Sequence, residues 1–247
     1  MRALILAAGR GSRMLALTED RPKGLVELAG RPLLEYQLRA LRAGGATEIG
    51  IVTGYRGQQL SPYADRLFDN PRWQETNMVR SLACAHDWLA EAPCLVSYAD
   101  IVVSARTVAD LTAAQGDIAI SFDPDWQALW SARFADPLSD AETFQRDGAG
   151  RLTGIGARPQ SIEQVQGQYM GLLRFTPDGW AQVSARLNGP LAPRFDKLDM
   201  TSLLSDLLAA GHDIATVPAT GQWIEADSGD DLVLYEQMLA DGRLVLE

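Results

Sequence analysis

Short apolar runs alternate with helical segments over the first part of the chain, and this alternation constrains the fold more than any other feature. Residues 2–8, 48–53 and 94–98 are apolar runs that lead into a glycine or an aspartate, as buried parallel strands do. Between them, residues 32–43 and 77–89 carry apolar side chains at helical spacing. Strands that alternate with helices form βαβ units, so the sequence predicts a parallel sheet with both faces covered.

The pattern changes beyond residue 110, where strands predominate. Helices return at residues 198–209 and after Ser228. We therefore predict an α/β fold in one domain, residues 1–247: a doubly wound, Rossmann-like, mostly parallel sheet with a β-rich insertion at 117–175. The strands predicted in this insertion are 117–122, 142–146, 151–155 and 168–175.

Composition and charge exclude several classes of protein. The net charge of −10 argues against a nucleic-acid-binding protein, because phosphate backbones require a basic surface. No apolar stretch is long enough to span a bilayer, and the N-terminus lacks the pattern of a signal peptide. The two cysteines, Cys84 and Cys94, cannot form a disulfide framework. We expect a cytoplasmic protein that binds neither nucleic acid nor a membrane.

A loop of small residues directly follows the first predicted strand. Residues 6–14 read Leu-Ala-Ala-Gly-Arg-Gly-Ser-Arg-Met, and such a loop allows backbone N–H groups to approach a phosphate. Met14 stands where a dinucleotide fingerprint has its third glycine, so that motif is not matched. A tight turn without a ligand is the alternative. Lys23, one of only two lysines in the chain, follows shortly after and suits a phosphate oxygen.

These two segments, AAGRGSRM and RPKGLVELAGRPLLEY, resemble the signature of the sugar-phosphate and cytidylyl nucleotidyltransferase family. The resemblance implies a nucleotide-diphospho-sugar transferase-like fold and the transfer of a nucleoside monophosphate. It also implies catalytic roles for Lys23 at the α-phosphate under attack and for Arg13 at the β- and γ-phosphates. The residues that it implies for close approach to the nucleotide are Leu6, Ala7, Ala8, Gly9 and Gly11.

Two aspartates, far apart in the sequence, match the positions of metal ligands in that family. Asp100 follows the strand predicted at 94–98, and Asp227 lies in a W-x-E-x-D segment before a helix. The resemblance implies that they bind Mg²⁺, with Glu225 as a supporting or alternative ligand, and Mg²⁺ prefers such oxygen ligands. The alternative for each aspartate is a helix cap or turn residue.

The start of the helix predicted at 77–89 carries residues that indicate which type of base the nucleotide has. Asn77 and Ser81 lie one helical turn apart on one face, from which both can reach a pyrimidine edge. Their N-M-x-x-S-L context resembles phosphocholine-type cytidylyltransferases, which implies CTP as the nucleotide. An N-cap asparagine and an incidental buried serine remain the alternative.

The middle of the chain carries the candidate acceptor residues. Trp126 and Trp130, with Asp125 and Tyr169 nearby, could surround an ammonium group by cation–π and ionic attraction, as the resemblance to phosphocholine-type enzymes implies. The alternative is a short helix that buries both tryptophans in the core. Arg158 occupies the place of a lysine that related enzymes have before a proline, and a basic residue there could bind the acceptor phosphate.

The sequence therefore predicts a CTP-dependent cytidylyltransferase that transfers CMP to a small phosphorylated or phosphonate acceptor with an amine, such as phosphocholine, and releases pyrophosphate. One alternative is a sugar-1-phosphate nucleotidyltransferase with the same fold. Another is a nucleotide-binding module without catalytic activity. The apolar, β-rich insertion is also compatible with a homodimer.

Overall fold

The computed structural model describes residues 1–246, which contain thirteen strands, eight α-helices and six short 3₁₀ helices. The strands are β1 (Arg2–Ala7), β2 (Glu27–Leu28), β3 (Arg31–Pro32), β4 (Glu48–Thr53), β5 (Arg66–Asp69), β6 (Cys94–Tyr98), β7 (Ile101–Val102), β8 (Ile118–Asp123), β9 (Phe144–Arg146), β10 (Leu152–Ile155), β11 (Gln168–Phe175), β12 (Ala215–Pro218) and β13 (Ile224–Glu225). The helices are α1 (Leu33–Ala43), α2 (Met78–Ala83), α3 (His86–Glu91), α4 (Ala105–Thr112), α5 (Trp126–Arg133), α6 (Pro177–Leu187), α7 (Met200–Ala209) and α8 (Gly229–Ala240).

Seven of these strands form the central sheet, in the order β12-β8-β11-β6-β1-β4-β5. Every neighbouring pair is parallel except the two that β11 makes with β6 and β8. The prediction of a mostly parallel sheet is therefore confirmed. After β1 the chain builds β4 and β5 on one side, and it then places β6 on the other side. Such a reversal of strand order opens a crevice at the carboxyl ends of the strands.

Helices cover both faces of the sheet, as the alternation of strands and helices predicts. One apolar cluster joins the sheet to α2, α3, α6 and α7, and a second joins it to α1, α4 and α5. The helix predicted at 77–89 is interrupted, because Ala85 has φ −101° and ψ 27° between α2 and α3. Among residues 1–246, no helix has the length and apolar character needed to cross a membrane.

The predicted insertion at 117–175 is only partly separate from the sheet. β8 and β11 belong to the central sheet, and only β9 and β10 pair outside it as a hairpin. All residues of β8 and β11 are buried. Strands that are buried on both faces show no alternation of polar and apolar residues, so the sequence pattern does not reveal which sheet they join.

A bulge in β11 sets the direction of the side chains near the carboxyl end of β6. Tyr169 is opposite Phe122 and Leu173 is opposite Ile120, so β11 has two extra residues between these pairs. Gly171 in this bulge has φ +70°, and a Cβ there would lie 2.5 Å from Cδ2 of Tyr98. A glycine therefore allows both the left-handed backbone and the contact with the Tyr98 ring.

Candidate active site

A cleft of about 540 Å³ lies at the carboxyl end of β1. Its walls come from the loop after β1, the segment that leads into α2, the end of β6 and Asp227, two residues before α8. The structure thus brings together the residues predicted to bind the nucleotide and the metal, at the place where the strand order reverses. Their individual roles stay predictions. Those residues are Leu6, Ala7, Ala8, Gly9, Gly11, Arg13, Lys23, Asn77, Ser81, Asp100 and Asp227.

Gly11 shapes the loop after β1. It has φ +73°, and its carbonyl accepts hydrogen bonds from the Met14 amide at 3.0 Å and the Thr18 hydroxyl at 3.2 Å. A Cβ at this position would lie 2.9 Å from the side chain of Lys23. The glycine therefore serves two purposes: it permits the left-handed turn and it leaves room for the lysine.

Lys23 lies between the two predicted metal ligands. Its Nζ is 2.6 Å from Oδ2 of Asp100 and 2.6 Å from Oδ1 of Asp227. Arg13 approaches the same Asp227 oxygen at 3.1 Å, with 68% of its side chain exposed. Burial opposes the positive charge, but the two carboxylates outweigh it and raise the pKa of Lys23 above its ordinary value. The lysine is therefore a fixed cation in the cleft.

Three carboxylates meet beside this lysine. Asp100, Glu225 and Asp227 can each present an oxygen within 4.8 Å of the others. Burial, and then the charges of Asp227 and Asp100, raise the pKa of Glu225 to about 8. Oδ1 of Asp100 is buried and has no hydrogen-bond partner in residues 1–246. A set of carboxylate oxygens with one unpartnered atom fits a hard divalent cation.

Pairing between two segments far apart in the sequence brings these acidic residues together. β13 pairs with β7, so that Glu225 is opposite Ile101, and the Ala226 amide donates to the Asp100 carbonyl at 2.9 Å. Neither aspartate is a helix cap, although Asp100 does lie in the turn between β6 and β7, the other role that the sequence left open. Ser104 caps α4 and Ser228 caps α8 instead.

Arg133 contacts two residues of the acidic cluster, Glu225 and Asp227, and it was not among the predicted site residues. It makes two hydrogen bonds to Asp231, at 2.9 and 3.3 Å, and it lies 3.3 Å from Glu225 and 3.8 Å from Asp227. Its side chain is only 1% exposed. Burial opposes its charge, but the hydrogen bonds to Asp231 and the nearby acidic charges raise the pKa of Arg133. The arginine therefore holds the segment before α8 in place.

On the side of the cleft where the sequence predicts the base, Asn77 and Ser81 have partners within the protein. Asn77 caps α2 through a 2.8 Å hydrogen bond from the Met78 amide, which is the alternative role left open above. Asn70 donates to the Ser81 hydroxyl at 3.0 Å. Trp73 also lines this part of the cleft, and sequence reasoning missed it, since it lies in an irregular loop without periodicity.

The structure contradicts the prediction that Trp126 and Trp130 form an acceptor cage. They are 3% and 1% exposed and pack in the core cluster beneath the sheet. The face of Trp130 already meets a cation, since the guanidinium of Arg133 lies 5.0 Å from the ring centroid. The i, i+4 spacing reflects a short helix with its aromatic side chains turned inward, which is the alternative that the sequence left open.

The other predicted acceptor residues are dispersed. Asp125 and Arg158 are exposed at the surface and do not line the cleft. Tyr169 is buried, 9% exposed, and its ring packs edge-on against Tyr98, which does line the cleft, with the ring centroids 6.0 Å apart. Of this set, therefore, Tyr169 is the residue next to the cleft.

Replacing Trp130 by leucine is expected to destabilise the protein without changing how well the acceptor binds. The loss of buried aromatic volume should lower the free energy of unfolding by about 3 kcal/mol, with the KM of the acceptor unchanged. Denaturant unfolding and steady-state kinetics on the same preparation check both. A raised acceptor KM with unchanged stability would restore the cage.

Comparison with known proteins gives one family. Residues 3–158 match the MobA-like NTP transferase domain. The chain is 34% identical to CTP:phosphoglutamine cytidylyltransferase of Campylobacter jejuni, over 94% of this chain and 98% of that protein. It is 26% identical to glucose-1-phosphate thymidylyltransferase of Streptomyces griseus, over 100% of this chain and 66% of that protein.

A solved structure extends the comparison to the whole fold. CTP:phosphocholine cytidylyltransferase from Streptococcus pneumoniae superposes with a TM-score of 0.75 at 21% identity, covering 96% of this chain and 98% of that one. The match of residues 3–158 to the family model and the 34% identity to the Campylobacter protein confirm the family resemblance inferred from the glycine loop and Lys23. The chain belongs to the MobA-like NTP transferase domain family, and it is an enzyme that transfers nucleotidyl groups.

Proposed function

We propose that this enzyme transfers CMP from CTP to a small phosphorylated or phosphonate acceptor that carries an amine, and releases pyrophosphate. The observation that carries the proposal is the position of Lys23, between Asp100 and Asp227 and directly beneath the glycine loop. A fixed cation beside a carboxylate cluster is what the transfer of a phosphorus group requires, because negative charge must be stabilised there.

The chemistry of such an acceptor makes a general base unnecessary. An oxygen of its phosphate or phosphonate is already anionic at neutral pH, and it attacks the α-phosphorus of CTP in line. One P–O bond forms at that phosphorus, and the bond to the β-phosphate oxygen breaks as pyrophosphate leaves. Catalysis then depends on positioning and on neutralising charge, for which Lys23 and Arg13 are placed at the cleft.

Mg²⁺ is the cation that we propose for the carboxylate cluster. Asp100 and Asp227 would hold it, with Glu225 beside them, since their oxygens lie within 4.8 Å of one another. When bound, the ion neutralises phosphate charge. Arg133 is buried, is bonded to Asp231 and lies near Glu225 and Asp227, so it would keep these two carboxylates oriented towards the ion.

Two relatives bear on the choice of nucleotide and acceptor. The Campylobacter cytidylyltransferase has the higher identity, 34%, and matches over 98% of its length. The thymidylyltransferase for glucose 1-phosphate has 26% identity and matches over 66% of its length. The first relative supports CTP and an acceptor of the phosphorylated amino-acid amide class. The second keeps a sugar-1-phosphate as the alternative acceptor.

The proposal is tested by pyrophosphate release with Mg²⁺ over a matrix of substrates. The nucleotides are CTP, UTP, GTP, ATP and dTTP; the acceptors are phosphoglutamine, phosphocholine, 2-aminoethylphosphonate, phosphoethanolamine and glucose 1-phosphate. We expect turnover with CTP and an amine-bearing acceptor. Turnover only with glucose 1-phosphate would replace the proposed acceptor, and CTP binding without any turnover would favour a nucleotide-binding module.

A further inference from the structure

Arg10 differs from the other basic residues in the wall of the cleft. The wall contains Arg10, Arg13 and Lys23. Arg13 and Lys23 both contact Asp227, at 3.1 and 2.6 Å, so a carboxylate balances their charge. Arg10 is exposed, and within residues 1–246 its guanidinium forms no ion pair. The charge of Arg10 can therefore meet an anionic ligand.

An aromatic pair supports the Arg10 side chain at the rim of the cleft. The guanidinium carbon of Arg10 lies 5.6 Å from the centroid of the Tyr55 ring, within the range of a cation–π contact. Tyr55 packs edge-on against Trp73, with the ring centroids 5.4 Å apart, and Trp73 lines the cleft. The Tyr55 hydroxyl also donates a hydrogen bond of 2.6 Å to the Glu19 carbonyl. Tyr55 is therefore held on two sides while it carries the arginine.

Backbone contacts fix this aromatic pair relative to the loop after β1. The Tyr55 amide donates to the carbonyl of Ala8 at 2.9 Å, two residues before Arg10. A Cβ at Gly54 would lie 2.6 Å from the same carbonyl oxygen and 2.7 Å from Cβ of Trp73. The absence of a side chain at Gly54 thus lets the loop and the tryptophan approach each other closely. The position of Arg10 beside Tyr55 is set by the fold of this part of the cleft.

We propose that Arg10 binds the terminal phosphate of the nucleoside triphosphate. The inference rests on the proposed function, because it takes the triphosphate to lie on the loop after β1 with its α-phosphate at Lys23. Lys23 and Arg13 lie beside the carboxylate cluster, whereas Arg10 lies on the Tyr55 side of the loop.

The chemistry of the terminal phosphate suits such an arginine. This phosphate carries the most negative charge of the three, and a guanidinium can donate two parallel hydrogen bonds to phosphate oxygens. Arg10 thereby favours a triphosphate over a diphosphate when the nucleotide binds. It also contacts the pyrophosphate that leaves, since the terminal phosphate is part of that product.

Nucleotide binding without an acceptor tests this inference directly, since no transfer then occurs. Isothermal titration calorimetry with Mg²⁺ measures the Kd of CTP, CDP and CMP for the wild-type protein and for Arg10→Gln. The variant should bind CTP at least about tenfold more weakly, the usual loss for a hydrogen bond to a charged group. It should bind CDP and CMP like the wild-type protein. The inhibition constant of pyrophosphate against CTP should rise by a similar factor.

Arg56→Gln is the matched control. The guanidinium of Arg56 also lies 5.6 Å from the centroid of the Tyr55 ring, and Arg56 is exposed, but it is not part of the cleft wall. Its loss changes the net charge equally and should leave the binding of all three nucleotides unchanged.

Two variants of Tyr55 separate its support of Arg10 from a general role in folding. Tyr55→Phe keeps the ring and should retain the preference for CTP over CDP. Tyr55→Leu should reduce this preference, because the guanidinium loses its cation–π contact. A purely structural effect would instead weaken the binding of CTP, CDP and CMP by the same factor.

Unaltered CTP binding in Arg10→Gln would overturn the inference, and so would an equal loss for CTP and CDP or an equal loss in Arg56→Gln. A higher KM of the acceptor with unchanged CTP binding would also overturn it, since Arg10 would then bind the acceptor. In each of these cases wild-type turnover with CTP, and with it the proposed function, would stand. A wild-type protein that bound no CTP would end both the proposed function and this inference.

Discussion

Replacing Lys23 by methionine is expected to lower kcat by about 10²–10³-fold, the usual loss when one group that stabilises transition-state charge is removed. Methionine fills a similar volume beside Gly11 but provides no positive charge at the α-phosphate. The substitution also leaves Asp100 and Asp227 facing each other without the ammonium that bridges them at 2.6 Å. The metal-free variant should therefore melt at a lower temperature than the wild-type protein, and Mg²⁺ should restore part of the loss.

Arg39→Met is the control for this variant, because Arg39 is exposed on α1 and its loss changes the net charge equally. Single-turnover kinetics measure the chemical step, and thermal melts with and without Mg²⁺ measure the rescue. Turnover close to that of the wild-type enzyme would remove Lys23 from the mechanism. A melting temperature of Lys23→Met that does not respond to Mg²⁺ would contradict the shared site of lysine and metal.

Replacing Asp227 by asparagine is expected to raise the Mg²⁺ concentration for half-maximal activity by at least about tenfold. Changing a residue that only orients a metal ligand typically costs 10–100-fold in affinity or activity, and Asp227 is proposed as a ligand itself. Asparagine keeps the size of the side chain, so Arg133 and Asp231 should still hold the segment before α8. A Mg²⁺ titration of pyrophosphate release measures the change.

Asp230→Asn serves as the matched control for this titration. Asp230 is exposed in the first turn of α8, three residues from Asp227, and its replacement removes the same charge. Its half-maximal Mg²⁺ concentration should equal that of the wild-type enzyme. If Asp227→Asn also titrates like the wild-type enzyme, Asp227 is not a metal ligand.

The first half of the fold was predictable because its signals are local. The predicted strands at 48–53 and 94–98 coincide with β4 and β6, and α1 begins one residue after the predicted start. The break between α2 and α3 was not predictable, because both helices keep apolar residues on a common side. The insertion was misjudged for a related reason: β8 and β11 are buried throughout, and an unbroken apolar run does not show which strands lie beside it.

The candidate site, too, was predictable only where its residues lie in short motifs. Residues of the glycine loop, Lys23 and the two aspartates were identified from short motifs, and the fold brings them into one cleft. Arg133 was missed because its partner, Asp231, lies 98 positions away in the sequence. No residue close to Arg133 in the sequence marks this arginine as buried. The tryptophans were misassigned because an aromatic pair at helical spacing has the same pattern in a core as in a binding site.

The sequence by itself determined the class of sheet, the family and the position of the glycine loop that lines the cleft, since these depend on periodicity and on motifs within about a dozen residues. Only the tertiary structure decided which charges meet. Pairing of β13 with β7 sets Asp227 beside Asp100, and Tyr169, next to the bulge at Gly171, packs against Tyr98. Contacts between residues so far apart depend on how the strands pair and the layers pack, and no local pattern of side chains encodes that geometry.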